Sequence, residues 1–414
     1  MKKILTSAGV IAVSAMSLHA SPTPMTTTEN SKPWSISASL RGFYDDNYVT
    51  RPKPFKKSSF GFEVSPSIGL NMPLDQTFIG LSYVYSLRWY DDRVKNSADH
   101  THQFNAKLDH AFNERYKMEL SDSFVIAQEP TILDQVGIIS VPLRLNGNNI
   151  HNLAQASLSA QLTQVLGLEF TYANNLYDYE RRGAGSYSAL LDRMEQVGGV
   201  NLRWQALAQT VAILGYNFGV VDYDSKDSLI PGLDVSPKLR NNRSHYVYIG
   251  ADQNFNSKLS SSIRLGGQYT DYYNQNQTSI SPYVDGNLTY SYNPGSYVQA
   301  GVRHARNQTD VLGFIDSQHL TVDQESTTLY ASVTHRITSK LTAGLLGQFQ
   351  KSDYKDGSVN HKTDDFYLAG VNLAYRFNKN FLAEAGYNYN KLDSGIAGRG
   401  FSRNQVYIGV RATY

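Results

Sequence analysis

Between Trp34 and Tyr414 apolar and polar residues alternate with a period of two, as strands with one apolar and one wet face require. From Thr77 to Tyr90, the residues Ile79, Leu81, Tyr83, Tyr85, Leu87 and Trp89 fall on one side. Gly80, Ser82, Val84, Ser86, Arg88 and Tyr90 fall on the other. The last segment repeats the pattern: Val406, Ile408, Val410, Ala412 and Tyr414 alternate with Gln405, Tyr407, Gly409, Arg411 and Thr413. About eighteen such segments occur, each near the ten residues that a tilted membrane strand needs.

The connections alternate in length. Short ones, such as residues 73–76, 113–115 and 293–295, take turns with long ones at 128–149, 177–195, 222–243 and 306–324. Transmembrane barrels have short periplasmic turns and longer external loops. A soluble sandwich or propeller gives no reason for such asymmetry. The expected fold is all-β: a transmembrane, antiparallel, up-and-down barrel of eighteen strands, with sixteen as the alternative and both termini periplasmic. Pro66 and Pro282 fall inside segments and are expected at bulges, because proline lacks the ladder's donor.

Aromatic residues crowd the segment ends. Trp34, Phe112, Tyr116, Trp204, Tyr290, Tyr375 and Phe381 lie near short turns, and Tyr44, Tyr85, Trp89, Tyr172, Phe218 and Tyr269 near long loops. Two such rings suit two membrane–water interfaces. The mean hydropathy of −0.39 fits this reading, since only alternate residues of a barrel strand face lipid.

The N-terminus reads as a secretory signal. Met1-Lys2-Lys3 is basic, Ile4 to Leu18 is apolar, and His19-Ala20-Ser21 places cleavage after Ala20. The expected organisation is a signal over 1–20, a short polar periplasmic leader over 21–32, and one barrel over 33–414. Loss of Lys2 and Lys3 brings the 38 basic side chains down to the number of acids, 36. A neutral mature chain carries no basic footprint for nucleic acid. The absence of cysteine excludes disulfides, thiolate metal sites and a cysteine nucleophile.

Val64-Ser65-Pro66-Ser67-Ile68-Gly69-Leu70, Tyr83-Val84-Tyr85 and Arg88-Trp89-Tyr90 are followed by a charged loop with Asp99-His100 and His102. In these stretches the chain resembles the family of putative β-barrel porins of Gram-negative outer membranes. The terminal strand ending in Tyr414 resembles the signal read by the barrel-assembly machinery. The resemblance implies an outer-membrane channel, reached by signal-directed export. Its implied partners are periplasmic chaperones, the assembly machinery, outer-membrane lipid and lipopolysaccharide.

The face opposite the apolar one carries both charge signs. Candidate pore-lining residues are Arg41, Glu63, Arg88, Lys107, Asp109, Glu119, Arg203, Asp252, Arg264, Asp285, Arg303, Arg336, Arg376, Glu384 and Arg411. They would either tune selectivity or pair across strands and hold the wall. With both signs mixed, Arg336→Ala is expected to leave ion preference almost unchanged. Inward aromatics (Phe43, Tyr90, Tyr246, Tyr248, Tyr283, Tyr330, Phe366 and Tyr407) would either stack on sugar rings or fill space. Loop 128–149 contains the apolar run Val136, Ile138, Ile139, Val141 and Leu143. It would fold into the mouth as a constriction, pack on a neighbouring loop, or contact another subunit.

No catalytic residue, metal ligand set or cofactor motif is recognised. The leading expectation is passive diffusion of small hydrophilic solutes, saccharides included. An exopolysaccharide export pore is the alternative, and an outer-membrane enzyme or structural barrel a further one.

Overall fold

The turns show how local sequence builds this chain. Five of them share one form: a large apolar residue, then Asn or Thr, two further residues, and a second apolar residue. They are 112–116, 162–166, 255–259, 337–341 and 377–381. In each, the Asn or Thr side-chain oxygen accepts from the backbone N–H groups two and three residues on, as with Asn113 and Thr338. That side-chain turn needs no glycine and reverses the chain within four residues.

The computed structural model describes residues 33–129, 145, 147–316 and 319–414. Its strands are β1 (Trp34–Asp45), β2 (Ser59–Pro73), β3 (Thr77–Tyr90), β4 (Ala98–Ala111), β5 (Tyr116–Ala127), β6 (Asn149–Gln161) and β7 (Leu166–Asp178). Next come β8 (Arg193–Leu207), β9 (Thr210–Tyr223), β10 (Asn242–Asn254), β11 (Leu259–Tyr272), β12 (Gln277–Asn293) and β13 (Ser296–Gln308). β14 (Phe314–Asp316) and β15 (His319–Leu320) form a small separate hairpin. The chain ends with β16 (Asp323–Arg336), β17 (Leu341–Tyr354), β18 (Thr363–Arg376), β19 (Phe381–Ser394) and β20 (Phe401–Thr413).

Apart from the hairpin, each strand pairs antiparallel with the next, and β1 pairs with both β2 and β20. The result is a barrel of eighteen strands closed on itself through β1 and β20. Closure is sealed at the short-turn end, where Ile36 and Tyr414 exchange both backbone hydrogen bonds and the Trp34 ring lies 5.6 Å from that of Tyr414. Among the described residues no helix is long and apolar enough to cross a membrane.

The barrel is inverted relative to a soluble protein. Leu40, Ile68, Ile249 and Ile408 on the outer face are exposed, whereas Arg41, Glu63 and Arg403 on the inner face are buried. An apolar band around the whole circumference is far more than a water-soluble surface tolerates, and it suits lipid. The expected aromatic rings fall on this outer face, Trp34, Tyr116, Trp204 and Phe381 at one end and Tyr172, Phe218 and Tyr269 at the other.

Two details differ from the sequence expectation. The short connections occur as expected, eight in number, but the opposite end also has one tight turn, Tyr273 to Asn276, because β12 runs on for 17 residues. Pro66 and Pro282 are not bulges. The register between β2 and β3 is the same on both sides of Pro66, and Pro282 stays in register with Gly267. Both rings point outward, and the ladder is interrupted without a shift; the recorded shifts in the barrel lie at short turns, between Ser291 and Asn293 and between Gln205 and Leu207. The proposed signal, the leader and the apolar run 136–143 lie outside the described residues.

Candidate functional site

Antiparallel register places inward side chains of successive strands side by side, so the inner wall can be followed strand by strand. Arg88 of β3 is opposite Glu63 of β2, which is opposite Arg41 of β1. Arg88 Nε donates to Glu63 Oε2 at 3.2 Å, and Arg41 Nη1 donates to Glu63 Oε1 at 3.4 Å. Arg41 then reaches over β20, where Gly409 stands in its path, and its Nε donates to Glu384 Oε1 of β19 at 2.5 Å. Arg411 approaches the other Glu384 oxygen at 3.8 Å. Charges thus alternate in sign along this arc.

A second arc repeats the scheme. Arg203 of β8 meets Glu169 of β7 at 3.4 Å and crosses β9 to Asp252 of β10 at 2.8 Å. Asp252 also meets Arg264 of β11 at 2.8 Å, and Arg303 of β13 pairs with Asp285 of β12 at 3.0 Å. Lys107 and Asp109 pair along β4 at 2.8 Å. All the charged residues expected on the wall face inward, and most are brought together with the opposite sign. Arg336 and Arg376 are among the exceptions: both are exposed, and neither forms an ion pair among the described residues. They stand on β16 and β18 at the short-turn end, with Arg411 on β20 beyond. Glu119 faces inward opposite Asp109 and is likewise not drawn into the arcs.

The inward aromatics form separate patches. Phe43 and Tyr90 pack edge to face at 5.3 Å, with Tyr48 and Tyr407 against them. Tyr246 and Tyr248 each lie within 5.6 Å of Tyr283, with Tyr248 Oη donating to Asn201 at 2.7 Å. Tyr330 and Phe366 stand apart from both patches. Several histidines lie on the outer face and bond to neighbouring aromatics, as Tyr83 to His102 at 2.9 Å and Tyr216 to His245 at 2.8 Å.

The long loops supply residues that no local pattern revealed. The segments 179–192, 224–241 and 309–322 share an apolar core of Leu229, Val235, Leu320 and Val322, packed on Tyr272. Arg240 in this cap is fully buried, donating to the carbonyls of Leu190 at 2.7 Å and Thr309. Burial draws its guanidinium below the ordinary value. Asp192 closes the short helix α1 (Tyr187–Leu191) and accepts from Ser188 and Arg182; burial pushes its carboxyl up to about 6. Arg399 ties Asp310 to Asp364, each at 2.7 Å. Across the opposite arc, Arg403 binds Asp45 at 2.8 Å and Glu129 at 3.1 Å. Glu129 is the second residue of the 128–148 connection, so the stem of that connection is anchored five strands away from β5 on β20.

A closed antiparallel barrel with an apolar outside and a charged, paired inside is a membrane β-barrel of porin type. In agreement, the model of the family "Putative beta-barrel porin 2" matches residues 324–414. No curated protein matches the chain. Among solved structures the chain is similar to OpdK of Pseudomonas aeruginosa (10% identity, TM-score 0.45, covering 92% of this chain and 99% of that one). It is also similar to OccK5 of the same organism (13%, 0.45, 92% and 98%) and to OccAB3 of Acinetobacter baumannii (12%, 0.43, 92% and 99%). At these values the structural likenesses add nothing to what the strand count already says.

Proposed function

We propose that the protein is an outer-membrane channel for passive diffusion of small hydrophilic solutes, saccharides among them. The observation that carries this reading is the closed barrel whose apolar surface faces out and whose charges face in. The porin family match over the last strands supports it. In this reading the short-turn end faces the periplasm and the welded long loops face outward. Residues 1–20 direct export, 21–32 form the leader, and Tyr414 belongs to the segment read by the assembly machinery. The inward charges act as pore lining, and the connection anchored by Glu129 narrows the mouth. Outer-membrane lipid and lipopolysaccharide surround the apolar band.

The test is single-channel conductance of the purified protein in planar bilayers, with neutral and charged solutes of graded size. Stepwise conductance with a sharp size limit is expected. Membranes that carry folded barrel but show no conductance would overturn the proposal.

A further inference from the structure

The wall is not continuous. β12 and β13 pair from their short turn up to Val284 opposite His304, and there the ladder stops. Above that point residues 277–283 pair only with β11, and residues 305–308 pair only with β16. Continuation would place Pro282 opposite Arg306, and proline has no N–H to give. The backbone of Arg306 is satisfied from elsewhere. Its N–H donates to Gln268 Oε1 at 3.0 Å, and its carbonyl accepts from Gln268 Nε2 at 3.1 Å. One side-chain amide from β11 thus stands in for the missing strand.

The parted stretch is filled by charge. Arg306 by alternation belongs to the outer face, yet it is only 6% exposed and its side chain turns into the gap. It donates to Ser281 Oγ at 2.9 Å, Asp323 at 2.7 Å and Glu325 at 3.3 Å, and Lys355 adds a second cation to Glu325 at 2.9 Å. A permanently sealed wall would be built more simply by a continued ladder, without taking a guanidinium out of water. The two sides of the gap also differ. Outside stand Pro282 and Ile280, the latter 80% exposed; inside lie the rings of Tyr246, Tyr248 and Tyr283.

We propose that the β12–β13 seam is a side opening between membrane and lumen for an amphiphile with an acyl tail and an anionic head. The tail passes Ile280 and Pro282 toward the tyrosine patch. Arg306 and Lys355 hold the head, exchanging their carboxylate partners for it. The site is separate from axial diffusion and does not depend on it.

The absence of cysteine makes the test clean. Tyr283→Cys and Ala305→Cys, the first positions beyond the ladder, are joined by a disulfide or a short bis-thiosulfonate linker to lock the seam. A lumenal reporter, Tyr246→Trp, is read in a background where Trp34, Trp89 and Trp204 are Phe. The barrel sits in phosphatidylcholine liposomes containing 9,10-dibromostearate, whose bromines quench tryptophan at short range. The reporter is expected to be quenched with the seam free and to lose that quenching when it is locked. A Tyr407→Trp reporter behind intact wall should stay bright in both states. Equal quenching of the Tyr246→Trp reporter in free and locked barrels, or none in either, overturns the side opening. Equal quenching by uncharged 9,10-dibromostearyl alcohol overturns head recognition. Single-channel conductance should be the same before and after locking, so a barrel that conducts no ions would refute the diffusion channel and leave this result standing.

Discussion

Arg41 reaches Glu384 across a strand that lies between them, and Gly409 makes that possible. In register, Gly409 is the partner of both residues, and a methyl group there would come within 2.6 Å of Arg41 Cγ and of the Leu40 carbonyl oxygen. The missing side chain is therefore the passage through which the ion pair forms. Gly409→Ala is expected to cost about 1–3 kcal/mol by overpacking a closed wall. Glu384→Gln should cost a similar amount, roughly 1–3 kcal/mol, because Arg41 keeps Glu63 but loses its closest charge. Urea titration of the barrel folded into lipid vesicles measures both. A Gly409→Ala protein as stable as the parent would mean that Arg41 is free to move aside.

Ion preference should come from the charges that the wall leaves unpaired. Where acid and base touch, their fields cancel a few ångströms into the lumen, and salt screens the remainder over about 8 Å. Asp285→Asn with Arg303→Gln removes one such pair and should leave the reversal potential in a salt gradient almost unchanged. Arg336→Ala with Arg376→Ala removes two exposed guanidiniums that have no ion pair among the described residues, at the short-turn mouth, and should shift it toward cation preference. This revises the expectation that Arg336 would hardly matter, which treated all wall charges as cancelling. A larger shift from the Asp285 and Arg303 exchange than from the arginine pair would contradict the assignment.

The alternation around Ile79 to Trp89 and the exchange of short and long connections made the barrel, its strand number and the facing of Arg88 or Glu384 readable in advance. Those signals are local: neighbouring residues on one strand, or the length of one connection. Which charges meet was not readable. Arg41 and Glu384 are 343 residues apart and touch only because β1 closes on β20 and Gly409 leaves room. The cap was still less accessible. Arg240, Arg399 and Arg403 look like ordinary loop or strand arginines, and their partners come from other connections. The seam was half visible: Pro282 marked a problem in β12, but its solution lies in Gln268 of β11, out of reach of any pattern within one strand.

Asp122 stands on the outer face of β5, in line with Leu120 and Phe124. It borders a groove of about 340 Å³ lined by Ile68, Leu81, Phe104 and Ala106. Its side chain accepts from Asn152 Nδ2 at 2.8 Å, a single neutral donor for a carboxylate facing hydrocarbon. A charge on the lipid face of a barrel is destabilising, less for an acid than the 2–4 kcal/mol seen for a base. Asp122→Leu is therefore expected to stabilise the barrel in lipid vesicles by about 1–2 kcal/mol. Urea unfolding of the two proteins in the same vesicles checks this. A loss of stability would mean that the carboxylate is met by a partner in the membrane.

The cap over the barrel mouth should respond to pH through Asp192. Its carboxyl is pushed from the ordinary 3.8 up to about 6, with burial as the largest cause and the bonds from Ser188, Tyr179 and Arg182 acting the other way. The closed cap thus binds a proton more tightly than the opened loop does, so between those values closing takes up a proton. Closure gains stability as pH falls from about 6 toward 4, and loses it as pH rises through 6. Opening should then be more frequent at pH 7.5 than at pH 5. The Tyr179 amide, which donates to Asp192 Oδ1 at 2.8 Å, is the natural reporter. Its hydrogen exchange, corrected for the intrinsic rate at each pH, should be better protected at pH 5. Asp192→Asn should abolish the difference, because the amide keeps an acceptor oxygen but has no proton to gain. A pH dependence that survives this substitution would assign the response to another group in the cap.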